Sequence, residues 1–141
     1  MRSLPLGLLM TCLALGCGQS RPTGTVSGKV TLDGQPLSGA RVNFQPMGNA
    51  RDTGIGSFGK TDANGEYSLT LIDESAKGAI IGMHRVMIKA MPEGKGEPTD
   101  DKAPAGKDRV PPQYNINSEL QFEVKSGHNT ADWPLETKKK K

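Results

Sequence analysis

The sequence predicts an all-β fold, a single two-sheet antiparallel sandwich of about seven strands. Three observations predict it. Apolar residues recur with period two from Val26 to Leu135. Gly, Asp, Asn and Pro clusters punctuate the runs. No stretch carries a helical period of useful length, since "DESAKGAI" is short and interrupted by glycine.

Each element follows from that alternation. In "TVSGKVTL", Val26, Gly28, Val30 and Leu32 share one face, and Thr25, Ser27, Lys29 and Thr31 the other. Asp33 and Gly34 then signal a turn. "ARVNFQP" places Ala40, Val42 and Phe44 inward and Arg41, Asn43 and Gln45 outward. "SFGKTDANGEYSLTL" reads as a hairpin, with Asn64 and Gly65 suited to the positive φ values of a tight primed turn. Tyr67, Leu69 and Leu71 face inward beyond it. "GMHRVMIKA" points Val86, Ile88 and Ala90 in, and Arg85, Met87 and Lys89 out. "ELQFEVKSG" offers Leu120, Phe122 and Val124, and "TADWPL" offers Ala131, Trp133 and Leu135. Pro134 cannot donate a ladder bond, which makes the last strand an edge or its end. Phe44, Tyr67, Val86, Phe122 and Trp133 are expected inside one core. Met91 to Asn117 is rich in Pro, Gly, Lys and Asp and reads as a long mobile loop, pinned at its far end through Val110 and Tyr114.

The front end is different in kind. Arg2 precedes Leu4 to Gly16, a run without charge, which is the layout of a secretory signal. At roughly 13 residues it is shorter than the ~20 a spanning helix needs. Both cysteines of the chain, Cys12 and Cys17, lie here. "LALGC" resembles the lipobox of bacterial lipoproteins. That resemblance implies cleavage between Gly16 and Cys17, with lipidation of the Cys17 sulfur. Ala14 stands where leucine is usual, and Thr11 makes Cys12 a poorer match. The alternative is an ordinary signal peptide with an incidental cysteine. With the signal removed, Cys17 is the one thiol left, and a thioether to lipid accounts for it. Two or three acyl chains, at about 0.8 kcal/mol per buried methylene, hold a protein on a membrane stably. The expected organisation is a signal over 1–16, a tether over 17–23, a sandwich over 24–136 and a basic tail over 137–141.

Composition narrows the function classes. Hydrophobic residues make up 34% of the chain and aromatic ones 4%, enough for one modest core. The net charge is +3, and Lys138 to Lys141 supply much of it. The fold itself has no basic stripe, so a nucleic-acid partner is not expected.

"GTVSGKVTLDGQPLSGARVNFQP" followed by "GKTDANGEYSLTL" resembles the carboxypeptidase regulatory-like, or transthyretin-like, β-sandwich domain. "VPPQYN" and "LQFEVKSGHNTADWPL" resemble the C-terminal half of small bacterial lipoproteins that carry it. The resemblance spans Gly24 to about Leu135 and implies an accessory module. It implies no single activity. A transthyretin-like hydrolase of 5-hydroxyisourate would end in a "YRGS"-type motif, and this chain ends in lysines.

The residues themselves predict no catalytic centre, metal or cofactor. His84 and His128 are far apart in sequence and read as ordinary surface histidines. Asp62, Asn64 and Glu66 have the spacing of a calcium loop but no closing carboxylate follows; Asp100 or Asp101 would have to complete it. "GIGSFGK" lacks the spacing of a phosphate loop. Trp133 reads as core rather than as a sugar platform. Lys29, Lys89 and Lys125 fall on outward faces, where an intramolecular isopeptide bond cannot form. The expectation is an exported, lipid-anchored envelope protein, facing periplasm or exterior, non-enzymatic, with a structural or protein-interaction role. Its partners would be the membrane and an envelope protein, with no small-molecule substrate. An envelope module binding peptide or glycan is the alternative.

Overall fold

The computed structural model describes residues 21–48, 54–91 and 108–137. The lipobox residues Gly16 and Cys17, the centre of the 91–117 loop and the lysines of the tail lie outside them. The fold is an all-β sandwich of two sheets, built from eleven strand segments among the described residues. These are β1 (Thr23–Leu32), β2 (Gln35–Pro36), β3 (Arg41–Pro46), β4 (Ser57–Lys60), β5 (Glu66–Ser68), β6 (Thr70–Leu71), β7 (Ala79–Ile80), β8 (Gly82–Lys89), β9 (Gln121–Val124), β10 (His128–Thr130) and β11 (Trp133–Leu135). The excess over seven comes from two- and three-residue segments, too short to show a period in sequence.

One sheet runs β6-β4-β3-β8-β9 and is antiparallel throughout. The other is organised on β1. β2, β5 and β7 pair with it antiparallel, while β10 and β11 pair with it in parallel. β10 and β11 act as one strand broken at Ala131–Asp132, and the Asp132 carboxylate bridges the break by accepting the Lys29 backbone N–H at 2.8 Å. Gly28 makes this possible. A Cβ there would overlap the Ala131 carbonyl, so only glycine lets the two backbones approach. Pro134 sits in β11, which among the described residues pairs only with β1, as an edge strand with proline requires.

The expected alternation is realised. Val26 and Val30 from β1, Val42 and Phe44 from β3, and Val86 and Ile88 from β8 are buried together with Tyr67, Leu69 and Val124. Phe122 and Trp133 pack on this core half-buried rather than inside it. They join Phe44 in an aromatic cluster with ring centroids 5.7–6.3 Å apart.

Three expectations need correction. The primed turn forms at Asp33–Gly34, where both φ values are positive (51° and 83°) and Leu32 pairs with Gln35. Asn64–Gly65 does not make one. Gly65 alone has positive φ, 76°, and the turn it closes leads β5 out of the β4 sheet and onto β1. The far part of the expected hairpin survives as the β4–β6 pairing, so the chain changes sheet at Leu69. Gly59 explains the splay: a Cβ there would overlap the Ser68 carbonyl, so β4 and β5 meet face on, backbone against backbone.

His84, expected at the surface, is buried at 1% exposure on the inner face of β8. The register of Val86, Ile88 and Ala90 carries that face back to it.

The far end of the 91–117 loop is folded. Asp108 accepts from the Ala90, Val110 and Asn115 N–H groups, and Arg109 N–H donates to the Ala90 carbonyl. Val110 is buried and a 3₁₀ turn spans Pro112–Tyr114, so the pinning expected at Val110 and Tyr114 starts two residues earlier.

Candidate functional site

A concave feature among the described residues lies over β1 and β5. Ser27, Lys29, Lys60, Asp62, Glu66, Tyr67, Ser68 and Asp132 line an open, mostly polar cleft of about 730 Å³. Strand alternation explains its polarity. Ser27 and Lys29 are the outward residues of β1, and Glu66 and Ser68 those of β5, set side by side by the Ser27–Ser68 and Lys29–Glu66 register.

Most of the cleft's carboxylate chemistry is engaged with backbone. Asp62 Oδ1 accepts from the N–H groups of Asn64 at 2.8 Å and Glu66 at 3.0 Å, which is the work of a turn residue. Asp132 holds the β10–β11 break. Among the described residues no group of three or more His, Cys, Asp or Glu side chains is placed to hold a metal ion. Asp100 and Asp101, the carboxylates that could complete a calcium loop with Asp62, lie outside the described residues.

Beneath the cleft floor Tyr67 is the polar anchor. Its hydroxyl donates to the Ala131 carbonyl at 2.6 Å and accepts from Trp133 Nε1 at 2.9 Å. Burial pushes its phenol far above the ordinary value of 10.0. The hydrogen bond from Trp133 offsets part of that and the Asp132 charge adds to it. This side chain is therefore a neutral tie between β5 and the β10–β11 strand, not an acid or base. Trp133 packs half-buried against the core, with its N–H committed to Tyr67.

The two histidines differ. His128 is exposed, with Nδ1 3.3 Å from Thr25 Oγ1 and Nε2 3.5 Å from Ser27 Oγ. A serine and a histidine thus meet at the limit of hydrogen-bond length. The group on the far ring nitrogen is the Thr25 hydroxyl, not a carboxylate. The pair lacks the oriented base of a nucleophilic centre.

His84 Nδ1 lies 3.0 Å from the Gly82 carbonyl, which fixes that nitrogen as the donor. Nε2 is buried with no hydrogen-bond partner among the described residues, and the ring packs on Phe44 at 5.7 Å. Burial holds its pKa below the ordinary 6.5, with the Gly82 bond opposing the shift.

Lys29, Lys89 and Lys125 are exposed, as their outward register predicts. The structure brings Lys29 and Asp62 to one cleft and keeps His84 apart from His128. Sequence reasoning missed the Tyr67–Trp133–Ala131 tie, whose partners are more than sixty residues apart and carry no local signal.

No family model matches the chain, and no curated protein matches it. A solved structure similar to it is that of a DUF3823 family protein from Parabacteroides merdae, with 15% identity and a TM-score of 0.42. The match covers 82% of this chain and 47% of that one, so the chain spans about half that protein's length. Among the described residues no helix is long and apolar enough to cross a membrane.

Proposed function

We propose that this chain is a lipid-anchored cell-envelope protein whose sandwich, of the carboxypeptidase regulatory-like or transthyretin-like type, acts by interaction rather than catalysis. The observation that carries the reading is the placement of "LALGC". Cys17 stands six residues before Thr23, where β1 opens, so the acyl-bearing residue would adjoin the fold directly. The engagement of Asp62, Asp108 and Asp132 with backbone N–H groups supports a non-enzymatic role. Their oxygens already serve as joints of the sandwich.

Export would precede the removal of residues 1–16, and Cys17 would then carry the acyl chains on a membrane facing the periplasm or exterior. The test is Cys17→Ser in a bacterial host fed labelled fatty acid. Wild type should incorporate label and partition into the detergent phase, and the variant should do neither. Full labelling and membrane retention of Cys17→Ser would reject the reading. An envelope cross-linking pull-down with the lipidated wild type then identifies the protein partner.

A further inference from the structure

Six large hydrophobic side chains are exposed among the described residues, and five of them share one end of the sandwich. Met47, Ile55, Ile72, Ile81 and Met83 are between 37% and 59% exposed. Their backbone neighbours tie them together. Ile81 N–H donates to the Pro22 carbonyl at 3.0 Å, and Met47 N–H to the Met83 carbonyl at 2.8 Å. Ile72 N–H donates to the Gly56 carbonyl at 3.0 Å. Ile55 sits between two glycines that fix its place. A Cβ on Gly54 would lie 2.5 Å from Ile80 Cδ1 and 3.2 Å from Arg21 Cδ, and one on Gly56 would lie 3.1 Å from Ile72 Cδ1. The sixth exposed hydrophobic is Ile116, whose carbonyl accepts from the Arg85 guanidinium at 3.2 Å.

This is the end at which the chain enters the fold. β1 starts here, and Arg21 and Pro22 lie among the five residues. Cys17 is four residues upstream of Arg21, a reach of at most about 14 Å at ~3.6 Å per residue. A domain of this size is about 35 Å across. A tether that short would keep the apolar end against whatever surface holds the acyl chains.

We propose that Met47, Ile55, Ile72, Ile81 and Met83 form a membrane-docking face that seats the sandwich, β1 start downward, on the lipid surface beside its own anchor. The proposal rests on the lipid-anchor reading and adds orientation to it. Apolar side chains at the interface bury area among headgroups and upper acyl chains. The charges at this end do not favour one sign. Arg21, Lys77, Lys125 and Arg85, which is two positions along β8 from Met83, stand with Asp73, Glu74 and Glu123, which is directly across from Met83. The adsorption is therefore apolar and independent of anionic lipid.

The experiment uses the full lipidated protein in phosphatidylcholine vesicles containing brominated acyl chains. An environment-sensitive dye is placed on Met83→Cys or Ile81→Cys, and on Gln35→Cys as a control. Gln35 lies past the far end of β1, roughly 30 Å from its start at ~3.3 Å per residue. All three positions are at or near the surface, and an acylated Cys17 does not take the dye. Bromolipid should quench the dye at positions 83 and 81 and not at 35, and high salt should leave the quenching intact. Adding Met47→Ser, Ile72→Ser and Ile81→Ser to Met83→Cys should abolish the quenching while the protein still floats with vesicles. Flotation without quenching at either position overturns the docking face and leaves the anchor standing. A dye shielded from water but not quenched by bromolipid means a second copy or another protein covers the face, and also overturns it. Failure to float at all rejects the anchor, and the docking face falls with it.

Discussion

Tyr67→Phe removes one oxygen atom and two hydrogen bonds. The Ala131 carbonyl loses its 2.6 Å donor, and the Trp133 indole loses its 2.9 Å acceptor. The two losses are unequal. Ala131 is 2% exposed and its carbonyl is wedged against Gly28, so water cannot replace the hydroxyl. An unsatisfied buried carbonyl costs about 1–3 kcal/mol. Trp133 is half-buried, so its N–H regains part of its bonding from solvent, at a cost of about 0.5 kcal/mol. The sum is about 1.5–3.5 kcal/mol, with no compensating gain because the ring itself keeps its packing. For a domain of about a hundred residues this lowers Tm by roughly 7–17 °C. Thermal melts followed by circular dichroism and by the fluorescence of Trp133, the one tryptophan, measure it. Trp133→Phe in the Tyr67→Phe background should cost less than it does alone, since the shared bond is already gone. The phenol offers a second readout. With its pKa raised by burial, Tyr67 should stay un-ionised in an absorbance titration until the protein unfolds in alkali. A Tyr67→Phe melt within about a degree of wild type would refute the claim that this hydroxyl ties the sheet together.

Two further outcomes follow from buried features. Gly28→Ala forces the β1 and β10–β11 backbones apart at Ala131 and should destabilise by about 2–4 kcal/mol, read by urea unfolding; a variant as stable as wild type would mean the break is not where the strands touch. His84 should make stability fall with acidity. Its folded pKa lies below the unfolded value of about 6.5, so the unfolded chain takes up a proton that the native state refuses. The contribution is intact above about pH 6.5 and is lost as pH falls from there toward the depressed folded value. His84→Leu should flatten that part of the stability–pH curve, and an unchanged curve would place the imidazole in contact with water.

The fold was legible wherever one face of a strand meets the core and the other meets solvent. β1, β3, β8 and β9 alternate over four to ten residues, and their inward sets are the ones buried. His84 was legible by the same rule. Stepping back by two from Ile88 and Val86 reaches it, but a polar residue type obscured what the register says. The connectivity was not legible. β5 and β6 together amount to five residues of alternating sequence, and nothing local marks Leu69 as the point where the chain leaves one sheet for the other. Turn dipeptides were ambiguous for a related reason. Asp33–Gly34 and Asn64–Gly65 both permit positive φ, yet only the first joins strands that pair. The choice is made by Gly59 and Gly65, whose missing Cβ atoms let other backbones come close. The parallel pairing of β1 with β10 and β11 joins residues about a hundred positions apart, a separation no periodicity reports.

Chemistry-bearing residue types are poor guides to function in this chain because the architecture claims them first. A sandwich made of short, broken strands leaves many N–H groups without a ladder partner, and buried ones must be satisfied. Asp62 serves the turn before β5, Asp108 serves Ala90 and Val110, Asp132 serves Lys29, and Asn129 serves Thr25 and Lys125. Asp62 looks like a candidate ligand in sequence, and all four are joints in the fold. Five exposed side chains among the described residues are of the opposite kind. Met47, Ile55, Ile72, Ile81 and Met83 are apolar, exposed and gathered where the chain enters. Exposed singly, such side chains need no explanation, but gathered at one end they ask for a covering surface. If Cys17 carries the acyl chains proposed above, the surface nearest this end is the membrane.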